Sequence, residues 1–130
     1  MFILLIYRDP SAWGALTDAE RAGVARGHDA FQRSVREMVF TEALAEPRAT
    51  RTVRVRDGQV AVAHAPYLKT RSFLCGYYLI DSERLDRAIE LAARVPEAHY
   101  AAVEVRELIG QFGTEPPYGL DAPENHERWG

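Results

Sequence analysis

The sequence predicts an α+β domain, a ferredoxin-like sandwich with an inserted β-hairpin, and three observations point there. Val53 and Val55 alternate with Arg54 and Arg56, and Val60 and Val62 resume the alternation after Asp57-Gly58, the pattern of a hairpin closed by a type I′ turn. Two segments carry apolar residues at helical spacing, one through Val24, Phe31, Val35 and Met38 and one through Leu85, Ala88, Ile89 and Ala92. Four further short runs are rich in β-branched and aromatic residues, and together these segments follow the order β-α-β, hairpin, β-α-β.

Residues 2–8 form the first expected strand, which stops at Asp9-Pro10 because proline lacks a backbone donor and fixes φ. Residues 11–16 suit a short helical turn. Thr17-Asp18-Ala19-Glu20 then reads as a capping box opening a long helix, whose inner stripe places His28 among apolar residues. Gly23 and Gly27 each weaken that helix by up to about 1 kcal/mol relative to Ala, which suggests that another segment approaches near His28. Residues 39–44 return as a strand ended by Glu46-Pro47, the hairpin follows, and residues 74–80 make an aromatic, buried strand. Asp81 or Ser82 is the expected cap of a second helix running to about Arg94, with Leu85, Ala88, Ile89 and Ala92 inward. After Val95-Pro96, residues 100–108 alternate as a last half-buried strand.

Length and composition suit one domain with one core. A net charge of −3 supplies no positive field for nucleic acid or an anionic membrane, so neither is expected as a partner. Residues 2–7 are too short to span a bilayer and have no basic leader, which sets the expectation of a cytoplasmic protein. Cys75 is the only cysteine, so no internal disulfide can form, and its place in an apolar run reads as a small core residue. His28, His64, His99 and His126 lack a short ligand spacing, and no metal site is expected. Neither a phosphate-cradling glycine loop nor a dinucleotide fingerprint is present, and no cofactor is expected.

The residues VRVRDG at 53–58, Pro66-Tyr67, Thr70 and GYYLID at 76–81, with Leu4-Leu5-Ile6-Tyr7 and Val103-Glu104-Val105-Arg106 at the two ends, occur in an order that resembles the YCII-related superfamily. Within it the likeness is to the group named for a DGPF signature, although here His64-Ala65-Pro66-Tyr67 stands in that place and the signature aspartate is absent. The resemblance marks residues 1–109 as the domain and 110–130 as an irregular tail, where Pro116, Pro117, Gly119 and Pro123 disfavour regular structure and Phe112, Tyr118 and Trp129 are candidate anchors. It implies a homodimer forming an α+β barrel, a pocket between sheet and helices, and a catalytic histidine on the first long helix, where Arg26-Gly27-His28 falls. Related barrels include lyases and isomerases, and DGPF-like proteins often accompany extracytoplasmic-function sigma factors.

The candidate catalytic residues are therefore His28, His64 and Tyr67. An imidazole with an unperturbed pKa near 6.5 on an apolar face is tunable as acid or base, His64 stands where the signature carboxylate would be, and a phenol can donate to an oxyanion. Phe31, Lys69, Arg71, Tyr77 and Tyr78 are candidate substrate contacts, with the two tyrosines on opposite faces of their strand. Glu37 and Glu42 are nearby carboxylates, but Glu37 lies off the His28 stripe and no acidic partner is assigned to His28 from the sequence. Two functions follow: a cofactor-independent acid-base enzyme on a small, partly apolar metabolite, or a non-catalytic ligand-binding or regulatory module.

Overall fold

A computed structural model describes residues 1–110. The expected anchors Phe112, Tyr118 and Trp129 lie outside the described residues. In chain order the elements are β1 (Phe2–Arg8), α1 (Pro10–Gly14), α2 (Asp18–Ser34), β2 (Met38–Ala43), β3 (Thr52–Arg56), β4 (Gln59–Ala63), β5 (Phe73–Ile80), α3 (Leu85–Ala93) and β6 (Ala102–Glu107), with 3₁₀ turns at Pro47–Ala49 and Pro96–His99.

Four strands form one antiparallel sheet in the order β2-β5-β1-β6, while β3 and β4 pair only with each other. With the hairpin set aside, this is the strand order of a ferredoxin-like β-α-β-β-α-β unit, and the sheet is open, with β2 and β6 as its edges. In β1 the alternation is clean: Phe2, Leu4 and Ile6 are buried, whereas Ile3, Leu5 and Tyr7 are only half-buried on the other face. Leu4 and Ile6 join Phe31, Val35, Tyr78, Ile80, Leu91, Ala92 and Val95 in one core between sheet and helices. At about 25 cal/mol per Å² this apolar layer is the main favourable contribution to folding.

The capping box forms as expected, with the Thr17 hydroxyl accepting from the Glu20 N–H and the Glu20 carboxylate from the Thr17 N–H. The first helical stripe needs one correction. The helix ends at Ser34, Val35 turns extended, and Met38 opens β2 while still packing on the core.

The second helix starts later than expected, at Leu85. Asp81 and Ser82 do not cap it: the Asp81 N–H pairs with the Glu37 carbonyl, and the Ser82 hydroxyl instead accepts from the Arg84 N–H in the turn before the helix. Its inner face is Ala88, Leu91 and Ala92, while Leu85 and Ile89 are over half exposed. Leu91 and Ile89 lie about 160° apart around the helix, on either side of the Ala88-Ala92 line, so only one could face the sheet. Packing chose Leu91.

The hairpin has the expected turn, with φ of +52° at Asp57 and +76° at Gly58. Val53 pairs with Val62 and Val55 with Val60 on one face, and all four remain between 52% and 68% exposed. The hairpin therefore stands away from the described body of its own chain.

Candidate active site

The site grows from three elements that converge at one end of the sheet. Helix α2 presents His28, the turn Pro96–His99 presents Glu97, and β1 ends on Arg8. What lets the turn come so close to the helix is Gly27: a Cβ there would lie 2.6 Å from Cγ of Pro96. The approach inferred from the helix glycines is real at Gly27, whereas a Cβ at Gly23 would meet only the Arg26 guanidinium, at 3.5 Å.

Glu97 is 2% exposed and both its oxygens are occupied. Oε1 lies 2.6 Å from His28 Nε2, and Oε2 accepts from Arg8 Nη2 at 3.1 Å and Nε at 3.3 Å. Burial pushes the Glu97 carboxyl up, but the hydrogen bond and charge of His28, a backbone N–H and Arg8 together outweigh it and hold the group below the usual carboxylate range. With Glu97 ionised, the hydrogen on that side of the imidazole belongs to Nε2. In the neutral ring Nδ1 is then the acceptor, and it receives the Tyr78 O–H at 2.8 Å. Gln32 Nε2 donates to the same phenol oxygen at 3.5 Å. Burial pushes the Tyr78 phenol up, against the lowering effect of Gln32 and with a further rise from Glu97, so it stays protonated at neutral pH.

Arg8 is held from the other side by Trp13, whose ring centroid is 3.8 Å from the guanidinium carbon. Trp13 is placed by α1, a single turn capped by Asp9 and tied to α2 through Arg21 Nε donating to the Trp13 carbonyl. A β-bulge where β5 passes Ile6 and Tyr7 leaves Cys75 as the extra residue, and Cys75 helps to line the cavity. Burial pushes the Cys75 thiol up, which disfavours a resting thiolate nucleophile.

These groups border a cavity of about 300 Å³, walled also by Ile6, Thr41, Ala43 and Gly76. The expected residues are distributed as follows. His28 and Tyr78 line the cavity, and Phe31 is buried against the Tyr78 ring, centroids 4.4 Å apart, supporting it from behind. Tyr77 is on the opposite face of the sheet beside Phe40, as alternation requires. His64, Tyr67, Lys69 and Arg71 are exposed on the segment after the hairpin, with Tyr67 near the Arg54 guanidinium, and none lines this cavity. Within one chain the two imidazoles of His28 and His64 do not share a pocket.

The acidic partner of His28, which the sequence leaves unassigned, is Glu97, and neither of the nearby carboxylates Glu37 and Glu42 takes that place. Glu37 binds Arg87 at 2.6 Å, and Glu42 is exposed and pairs in register with Tyr77 on the far face. Arg8, Gln32, Thr41 and Cys75 were likewise absent from the sequence reading of the site. The available signals were Gly27 beside His28 and an acid directly after Pro96, two features 69 residues apart that only the fold joins. Among the described residues no group of three or more His, Cys, Asp or Glu could hold a metal ion, and no helix is long and apolar enough to cross a membrane.

An uncharacterized protein of Rhizobium meliloti (strain 1021) is 31% identical over 113 residues, spanning 83% of this chain and 91% of the relative. The model of the YCII-related domain matches residues 1–111, which include every residue of the cavity, and the chain belongs to the YCII-related family.

Proposed function

We propose that the cavity binds a small, partly apolar metabolite and that His28 moves a proton on it without a cofactor, in an isomerisation, elimination or cyclisation. The observation that carries this reading is one imidazole held between a buried, ionised carboxylate and a phenol at a cavity wall. A purely structural histidine is commonly satisfied by backbone groups, whereas both partners here can ionise.

The chemistry follows from the hydrogen-bond directions. As the substrate loses a proton to the Tyr78 oxygen, the phenol proton moves to His28 Nδ1, and the imidazolium so formed lies against the Glu97 carboxylate. Reversal returns the proton to another atom of the same substrate, so no external acid or redox partner is consumed. A positioned acid-base group contributes about 10²- to 10⁴-fold. The variant His28→Gln is expected to lose turnover on that scale while it keeps its fold. Turnover retained within about threefold in folded H28Q would refute the assignment.

A non-catalytic binding module is the second reading, favoured by the fact that Glu97, His28 and Tyr78 satisfy one another's hydrogen bonds. Saturable binding of a metabolite with no product formed would support it over the first. The half-buried face carrying Ile3, Leu5, Tyr77 and Leu79 also supports a homodimer in which a second sheet covers that face to complete a barrel. Light scattering that gives a monomer at micromolar concentration would exclude this assembly.

A further inference from the structure

We propose that the ligand of this cavity is a small organic carboxylate and that Arg8 receives its carboxylate; the inference rests on the reading of the cavity as a ligand site and adds the class of ligand. A guanidinium has five N–H groups in a planar fork. Two of Arg8's point at Glu97 Oε2, from Nε and Nη2, which leaves three, and these have no acceptor among the described residues. Among the described residues the Nη1/Nη2 edge is therefore left as a two-pronged donor, the geometry that matches a carboxylate in bidentate fashion. Trp13 stacks on the guanidinium, and the side chain is 31% exposed where it borders the cavity.

Among the described residues nothing negative competes for that edge. Both Glu97 oxygens are taken and buried, and Glu42, which also borders the cavity, belongs by register to the opposite face. Beside the polar Gln32 and Thr41, the walls formed by Ile6, Ala43, Cys75 and Gly76 suit an apolar body. A volume of about 300 Å³ is at the lower end for ligand pockets, which favours a metabolite over a nucleotide. One cation with a single free edge fits a carboxylate better than a phosphate, whose multiple oxygens call for several donors. Because Arg8 and His28 grip the two oxygens of one Glu97 carboxylate, a ligand carboxylate on Arg8 brings its adjacent carbon close to Tyr78 and His28.

The single cysteine supplies the assay, since Cys75 borders the cavity. Alkylation of wild-type protein by N-ethylmaleimide at pH 8 is followed by mass spectrometry with benzoate, its neutral isostere benzamide, or inorganic phosphate. Benzoate is expected to slow alkylation saturably, while benzamide and phosphate should need roughly tenfold higher concentrations or more, the loss of one charge-assisted hydrogen bond. Arg8→Gln should abolish the protection by benzoate, and Arg8→Lys, which keeps the charge but not the fork, should weaken it roughly tenfold. If R8Q does not fold, R8K alone carries the test, and saturation-transfer NMR of benzoate replaces alkylation if Cys75 reacts too slowly. Equal protection by benzamide, stronger protection by phosphate, no effect of benzoate, or benzoate binding unchanged in R8K would each overturn the inference. H28Q separates it from the catalytic reading: benzoate still bound by H28Q with turnover unaffected by that substitution leaves the carboxylate site standing and removes the proton-transfer role.

Discussion

Substituting each of the two glycines of α2 by alanine should have opposite consequences, and the difference measures the contact that builds the site. Both positions are inside the helix, so both gain the same helix propensity, up to about 1 kcal/mol. At Gly23 an added Cβ meets only the end of the Arg26 side chain at 3.5 Å, an ordinary contact, and G23A should be stabilised by about 0.5–1 kcal/mol. At Gly27 the new methyl would lie 2.6 Å from Pro96 Cγ, about 0.8 Å inside the 3.4 Å at which ordinary contact begins. Pro96 cannot swing away, because Val95 and Glu97 on either side of it are 0% and 2% exposed. Overpacking of this kind costs about 1–3 kcal/mol. Since the propensity gain is common to both variants, the stability difference between them isolates that cost. Urea unfolding of G23A and G27A should differ by about 1–3 kcal/mol with unchanged m-values. The site should report it too: a shift of about 0.8 Å along the same direction would stretch the 2.6 Å His28–Glu97 contact beyond a strong charge-assisted bond, and the downfield proton signal of that bond should weaken in G27A. Equal stabilisation of the two variants, or a G27A protein with the wild-type downfield signal, would refute the packing of the Pro96–His99 turn against α2.

Three further outcomes follow from the same geometry. Glu97→Gln leaves Arg8 and His28 without their shared anion; buried pairs broken this way lose about 3–5 kcal/mol, and because those partners are 31% and 21% exposed the expected loss is about 2–3 kcal/mol by urea unfolding. Glu97's carboxyl is held below its unfolded value near 4.3, so its contribution is fully present above that value and is lost as pH falls through the folded one; the stability gap between wild type and E97Q should therefore be largest above about pH 5 and narrow as pH falls below the unfolded value, and parallel curves would contradict this sign. Tyr78→Phe removes the donor to His28 Nδ1 and should cost about 1 kcal/mol of stability while lowering turnover as strongly as H28Q, whereas unchanged turnover would take the phenol out of the proton path.

The sequence by itself determined the local elements, because each was written in neighbouring residues. Thr17 and Glu20 make a capping box whatever surrounds them, Asp57-Gly58 turns the hairpin, and the alternation from Phe2 to Arg8 sets the first strand at its observed ends. His28 was legible as a candidate for the same reason, as a polar residue in an apolar stripe. Where two apolar choices were locally equivalent, as with Ile89 and Leu91 on α3, sequence could not decide, because the outcome depends on what the opposite surface accepts. The acid that serves His28 was of the same kind. Glu37 and Glu42 are near it in the chain, but Glu97 is near it in space, brought there by a contact that exists only because Gly27 lacks a Cβ and Pro96 fills the gap. Arg8, Cys75 and Tyr78 reach the cavity through strand pairing and a bulge. Hydrophobic patterning encodes which face of an element is inward, whereas the coupling of ionisable groups across an interface is settled only when those faces meet, since distance and burial set its strength.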